Sequence, residues 1–144
     1  DKTFELGNVV DGEVLPIENA CDQIFSHKLL GDGIMIKPYN GLIVSPCDGI
    51  VTMIYPTKHA IGLKLDNGIE LLLHFGTNTV NLNGVLHQRV QKGDLLWNAD
   101  LEYIKENATD ESLLMVMTKL DEGAFIEKIY GDKKRGQTIL KIQS

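Results

Sequence analysis

Short apolar runs alternate with turn residues along the whole chain. The turns combine Gly with Asp or Asn, at Asp11-Gly12, Gly31-Asp32-Gly33, Asn40-Gly41, Asp48-Gly49, Asn67-Gly68, Asn83-Gly84, Gly93-Asp94 and Gly131-Asp132. Several short strands at this spacing are typical of a β-sandwich or a β-barrel. We therefore predict an all-β fold.

Helix signals are few. Asp100 can cap a short helix that runs from Leu101 to about Asn107, with Leu101 and Ile104 turned inward. A helical turn is also predicted within residues 20–30, ahead of the glycine-bounded turn that follows them. One or two short helical segments are thus expected beside the strands.

A β-hairpin is the clearest local prediction. Residues 61–65 and 69–73 are largely apolar runs, and Asn67-Gly68 lies between them. Asn-Gly between two such runs favours a tight hairpin turn, whose central residues need positive φ. His59 precedes the first run and His74 follows the second.

Two registers of this hairpin are open. A loop at residues 67–68 places Ile61 opposite His74 and His59 diagonal to it, whereas a loop at 66–67 places the two histidines directly opposite. Both registers put the imidazoles on one face of the sheet, because paired positions and their two-residue diagonals share a face. Two adjacent imidazoles indicate nucleophilic chemistry, proton transfer or a metal site.

Length and charge narrow the class of protein. The chain has 144 residues and a hydrophobic fraction of 43%, which we interpret as one globular domain over residues 1–144. Its net charge of −6 argues against nucleic acid as a partner. We find no membrane-spanning run and no signal peptide, and we expect Cys21 and Cys47 to be reduced thiols. The chain begins without Met, so we expect a trimmed or excised domain.

Two pairs of segments echo each other. Residues 10–14 resemble residues 47–51, and residues 90–96 resemble residues 133–139. Such echoes predict two related β-units packed together.

Four sequence motifs stand out, and they are Gly31-Asp32-Gly33-Ile34-Met35-Ile36-Lys37-Pro38, Val44-Ser45-Pro46-Cys47-Asp48-Gly49, Thr57-Lys58-His59-Ala60 and Glu70-Leu71-Leu72-Leu73-His74-Phe75-Gly76-Thr77-Asn78-Thr79-Val80. Together they resemble a known family, the glucose-type enzyme IIA domain of the bacterial phosphoenolpyruvate:sugar phosphotransferase system. The resemblance runs essentially from end to end. It implies an antiparallel β-sandwich of the duplicated, barrel-sandwich type with a flat active face.

The resemblance also implies a phosphocarrier. His74, in the His-Phe-Gly motif, would accept a phosphoryl group from the carrier protein HPr and pass it to a IIB domain of a sugar permease. His59 would support it by donating a hydrogen bond to the phosphoryl group, and Thr57, two residues earlier, would orient His59. No cofactor is expected, and the expected location is the cytoplasm, as a free domain or as part of a longer permease.

A docking face for these partners is expected around the histidines. Its apolar candidates are Ile34, Ile36, Phe75 and Val80, for which ordinary core packing is the competing interpretation. Asp32 would be a rim charge for an arginine of the donor. Asn78 stands where the family has an aspartate, so we expect weaker and less salt-sensitive docking of HPr.

A regulatory binding module is the alternative function. Its two-histidine face would dock proteins, with Zn²⁺ bridging His59 and His74 to a partner's carboxylate. Two imidazoles fill only half of a tetrahedral zinc site, so the partner would have to complete it.

Overall fold

A computed structural model describes residues 3–55, 59–75, 81–82, 86–108 and 110–143 of the chain. Within these residues the fold is almost entirely β-structure. The strands are β1 Thr3–Gly7, β2 Gly12–Pro16, β3 Gly33–Pro38, β4 Leu42–Val44, β5 Gly49–Ile54, β6 Ala60–Leu65, β7 Glu70–His74, β8 Asn81–Leu82, β9 Arg89–Val90, β10 Leu95–Asn98, β11 Leu113–Lys119, β12 Phe125–Lys128, β13 Gly131–Lys133 and β14 Thr138–Gln143. The helices are a 3₁₀ turn at Ile17–Asn19, α1 at Gln23–Ser26 and α2 at Leu101–Asn107.

The strands pair antiparallel and form a β-sandwich, as predicted. One large sheet has the order β13-β2-β3-β11-β7-β6-β5-β9, and two three-stranded sheets have the orders β1-β14-β12 and β4-β10-β8. α2 begins where expected, because the Asp100 carboxylate accepts a hydrogen bond from the Tyr103 amide at 3.1 Å. Ile104 of α2 is buried in the main core.

The large sheet buries apolar side chains on both faces. One face packs in the main core of the sandwich and includes Leu73 and Met115. The other face carries a smaller cluster, in which Phe25 of α1 covers Leu72 and Leu114. Alternation along each strand thus decides whether a side chain enters the main core or the smaller cluster.

The two sequence echoes have a structural counterpart in repeated hydrogen bonds. The Asp11 carboxylate accepts from the Arg135 amide at 2.7 Å, and the Asp48 carboxylate accepts from the Lys92 amide at 2.8 Å. In both places the next amide along the chain also donates to a backbone carbonyl. Gly136 donates to the Asn8 carbonyl at 3.0 Å and Gly93 to the Ser45 carbonyl at 2.9 Å.

The hairpin forms, but both predicted registers are wrong. Its loop has three residues, 66–68, since the Leu65 amide donates to the Ile69 carbonyl at 2.8 Å and Gly68 takes a φ of 90°. A three-residue loop that ends in a left-handed residue is the next common hairpin solution after the two-residue turns. It shifts the pairing by one position, so that Ala60 rather than Ile61 or His59 lies opposite His74.

Candidate active site

His74 ends β7 and belongs to a continuous row of side chains across the sheet. The row runs from Leu15 through Met35, Leu114 and His74 to Ala60, each residue directly opposite the next. Directly paired residues point to the same face, so His74 lies on the face that α1 covers. An apolar sheet thus holds this imidazole in a defined direction.

His59 contacts His74 from a position just ahead of β6, outside the regular strand. In the observed register His59 lies opposite Phe75, whose amide donates to the His59 carbonyl at 2.8 Å. Strict alternation would then send the two imidazoles to opposite faces. His59, however, precedes the first residue of β6, so the pleat does not dictate its direction. Its ring meets that of His74 edge to face, with centroids 5.0 Å apart and an interplanar angle of 86°. The predicted juxtaposition is therefore confirmed, although for a different reason.

Two aromatic rings flank the histidine pair. The ring centroids of Phe25 and His74 are 4.8 Å apart, and the angle between the ring planes is 43°. Tyr55 meets His59 edge to face at 5.4 Å and 77°. The rings limit the rotation of the two imidazoles and remove water from one side of each.

The electrostatic environment keeps His74 neutral. Burial, followed by the neighbouring His59, lowers the pKa of His74 from 6.5 to about 4, while Asp22 acts in the opposite direction. The Nδ1 atom of His74 is buried and has no hydrogen-bond partner among the described residues. A neutral imidazole retains a lone pair, so His74 is equipped to act as a nucleophile at neutral pH.

A cavity of about 320 Å³ opens beside His74. Its wall is apolar at Phe25 and Leu114 and carries carboxylates at Asp22 and Asp110. The Asp110 carboxylate is held in place, because it accepts from the Ser112 amide at 3.0 Å and from the Ser112 hydroxyl at 2.8 Å. The cavity therefore suits a side chain with an apolar stem and a positively charged end.

Three predicted docking residues lie in the core instead. Ile34, Ile36 and Phe75 are fully buried, and all three belong to the main core cluster. The physical reason is alternation, because Met35, not its neighbours, shares the row of His74. The competing interpretation, ordinary core packing, is therefore correct for these three.

Asp32 lies just ahead of β3, and its carboxylate already pairs with two lysines of this chain. Its carboxylate contacts the Lys128 ammonium at 2.7 Å and the Lys28 ammonium at 3.6 Å, and accepts from the Gly33 amide at 2.8 Å. Partial burial raises the pKa of Asp32, but the Lys128 hydrogen bond and the other favourable contacts outweigh it and lower the pKa overall. A donor arginine would have to compete with these lysines. The other predicted site residues, Thr57, Asn78 and Val80, lie outside the described residues.

The structure reveals an apolar surface that the sequence argument missed. We define the 22–30 segment as the stretch from Asp22 through α1 to Leu30. Its Ile24, Leu29 and Leu30 side chains are 46%, 69% and 45% exposed. The available signal was that a single helical turn cannot bury apolar residues on all of its sides. Phe25 of this segment faces His74, so its exposed apolar residues border the site.

Among the described residues, the histidine pair does not belong to a larger cluster of metal-binding side chains. Within the part of the chain that the structure describes, no set of three or more His, Cys, Asp or Glu side chains stands ready to hold a metal ion. Across the same residues, no helix is long and apolar enough to cross a membrane.

The chain is similar to a known protein family and to a solved structure. The family model "phosphoenolpyruvate-dependent sugar phosphotransferase system, EIIA 1" matches residues 4–123. Among solved structures, the glucose permease IIA from Mycoplasma capricolum superposes with a TM-score of 0.91 at 26% sequence identity. That match covers 98% of this chain and 96% of the other.

Proposed function

Since this chain belongs to the EIIA 1 family of the phosphoenolpyruvate-dependent sugar phosphotransferase system, we propose that His74 is its phosphoryl acceptor. His74 takes the group from phosphorylated HPr and delivers it to the IIB domain of a sugar permease. The solved relative is a glucose permease domain, which makes glucose the first sugar to test. The observation that carries the proposal is the pair of imidazoles in edge-to-face contact, with His74 held neutral.

The transfer step needs positioning more than covalent chemistry from the protein. The lone pair of His74 attacks phosphorus in line with the phosphorus–nitrogen bond of the donor phosphohistidine. As the new phosphorus–nitrogen bond forms, the old one breaks and its electron pair returns to the donor imidazole. Nothing is oxidised or reduced. Because Nδ1 is buried, Nε2 is the nitrogen we assign to the attack.

His59 stabilises the phosphoryl group in flight. A neutral or charged imidazole carries at least one N–H donor, and the ring of His59 lies beside that of His74. Such a donor, aimed at an equatorial phosphoryl oxygen, is worth about 2.7–4 kcal/mol of transition-state stabilisation. His59 is therefore assigned a supporting role and not the nucleophilic one.

The 22–30 segment is the surface on which we expect HPr to dock. Its exposed Ile24, Leu29 and Leu30 supply apolar contact area, and Phe25 connects the segment to His74. Fully buried anchors with a polar rim are the usual anatomy of such interfaces. The carboxylate of Asp22 lies at the cavity beside His74 and suits a positive charge on the donor.

The test is phosphorylation with purified components. The chain is incubated with phosphoenolpyruvate, enzyme I and HPr, and the acid-labile phosphate is mapped. We expect His74→Ala to lose all of this phosphate. We expect His59→Gln, which keeps one N–H, still to accept phosphate at His74 but to transfer it to a IIB domain about tenfold more slowly or worse.

His87→Asn is the matched control, because His87 is exposed and takes a φ of 67° that Asn also tolerates. It should be phosphorylated like the native chain. Persistent labelling of the His74→Ala variant at His59 would reverse the two assignments, and an unlabelled native chain would refute the proposed function.

A further inference from the structure

α1 ends in an unusual way. Lys28 takes a φ of 59°, the left-handed conformation that glycine normally supplies at this position of a helix end. The Lys28 amide donates to the Phe25 carbonyl at 3.0 Å and the Leu29 amide to the Ile24 carbonyl at 3.0 Å. These two bonds form a Schellman motif, which turns the chain sharply after α1. The turn lets Leu29 and Leu30 follow α1 as exposed apolar residues.

A lysine at this position brings an ammonium group, which glycine lacks. Its ammonium lies 3.2 Å from the carboxylate of Glu18, in the 3₁₀ turn before α1. It also lies 3.6 Å from the carboxylate of Asp32, just ahead of β3. Asp32 is in turn anchored to β12 by Lys128 at 2.7 Å. Lys28 therefore ties the 22–30 segment to a residue on either side of it, and through Asp32 to β12.

We propose that Lys28 is a positioning residue for partner docking: its ammonium clamps the 22–30 segment between Glu18 and Asp32, and so presents Ile24, Leu29 and Leu30 in one fixed arrangement. This inference rests on the proposed function. A pre-arranged surface binds more tightly because less conformational freedom is lost on docking. The clamp touches no reacting atom, so it acts on the binding of the donor and not on the chemical step.

Lys28→Gly separates the clamp from the turn. Glycine retains the left-handed conformation and hence the Schellman motif, but it removes the ammonium. We expect the KM for phosphorylated HPr to rise about fivefold, with kcat within about twofold of the native value. Lys28→Arg should restore the native KM to within about twofold, because a guanidinium can contact both carboxylates.

Lys119→Ala is the control for the loss of a paired surface lysine. The Lys119 ammonium lies 3.6 Å from the Glu70 carboxylate. Lys119 is at one end of β11, whereas Leu114, which pairs with His74, is near the other end. The Lys119→Ala variant should have the native KM for phosphorylated HPr. Hydrogen exchange of the Leu29 amide supplies a readout that needs no partner protein, and it should be faster in Lys28→Gly than in Lys119→Ala.

Each outcome decides between the two proposals. Unchanged Leu29 exchange in Lys28→Gly would overturn the clamp, and faster exchange with an unchanged KM would overturn its role in docking. A KM for Lys28→Arg as high as that of Lys28→Gly would overturn the assignment to the ammonium. If the native chain takes no phosphate from HPr while Leu29 exchange quickens in Lys28→Gly, the proposed function fails but the clamp stands.

Discussion

The lowered pKa of His74 predicts how the stability of the fold depends on pH. In the folded chain the pKa lies at about 4, because burial and the neighbouring His59 disfavour the imidazolium. In the unfolded chain both causes vanish and the pKa returns to 6.5. Between these two values the unfolded state binds more protons, so the free energy of unfolding decreases as the pH falls from 6.5 to about 4.

The magnitude follows from the size of the shift. One pKa unit corresponds to about 1.4 kcal/mol, and the full shift of His74 would therefore give about 3 kcal/mol. His74 retains some contact with solvent, and screening reduces the effect, so we expect a loss of about 2 kcal/mol. The loss begins as the pH falls through 6.5 and levels off below about pH 4.

The measurement compares the native chain with His74→Gln, which has a polar side chain that does not titrate. Denaturant unfolding at a series of pH values gives the difference in free energy of unfolding, in which the other titrating groups cancel. We expect the native chain to lose about 2 kcal/mol relative to the variant between pH 7 and pH 4. NMR titration should show one histidine resonance, absent from His74→Gln, that titrates at about pH 4. A constant difference, or a His74 resonance that titrates near pH 6.5, would refute the argument that the site keeps this imidazole neutral.

Four further substitutions test the packing, the docking surface and the cap of α2. Ile36→Ala should destabilise the fold by about 3 kcal/mol, since Ile36 is fully buried. Leu29→Ala should change the free energy of unfolding by no more than about 0.5 kcal/mol but raise the KM for phosphorylated HPr. The opposite pattern would mean that Ile36 belongs to the docking face. Asp100→Ala should cost about 1 kcal/mol in chemical denaturation by removing the cap of α2, and an unchanged midpoint would show that the Tyr103 amide needs no partner. Gly49→Ala should cost about 2 kcal/mol, because the new Cβ would stand 2.5 Å from the Lys64 carbonyl oxygen, and a neutral result would mean that β5 and β6 can separate there.

Local sequence signals determined much of this fold. Turn residues between short apolar runs are sufficient to predict an all-β architecture, because Gly, Asn and Asp relieve the strain of tight turns wherever they occur. The cap of α2 at Asp100 was predictable for the same reason, since it depends on a residue and an amide three positions later. The echo between the turns at Gly93 and Gly136 was visible in the sequence too, and both glycines take positive φ values.

Tertiary structure decided which face each side chain occupies. The hairpin loop gained one residue over the predicted turn, and a one-residue shift exchanges the two faces of a strand. Ile36 and Phe75 lie in the main core because each is the chain neighbour of a residue in the row of His74, and neighbours along a strand face opposite sides. His59 meets His74 only because it precedes the first residue of β6, where the pleat does not dictate its direction. The 22–30 segment and the pairing of Asp32 with Lys128 likewise depend on distant parts of the chain. Lys128 and Asp32 are 96 positions apart in the chain. No periodic pattern in the sequence predicts such a contact, because it depends on how whole sheets pack together.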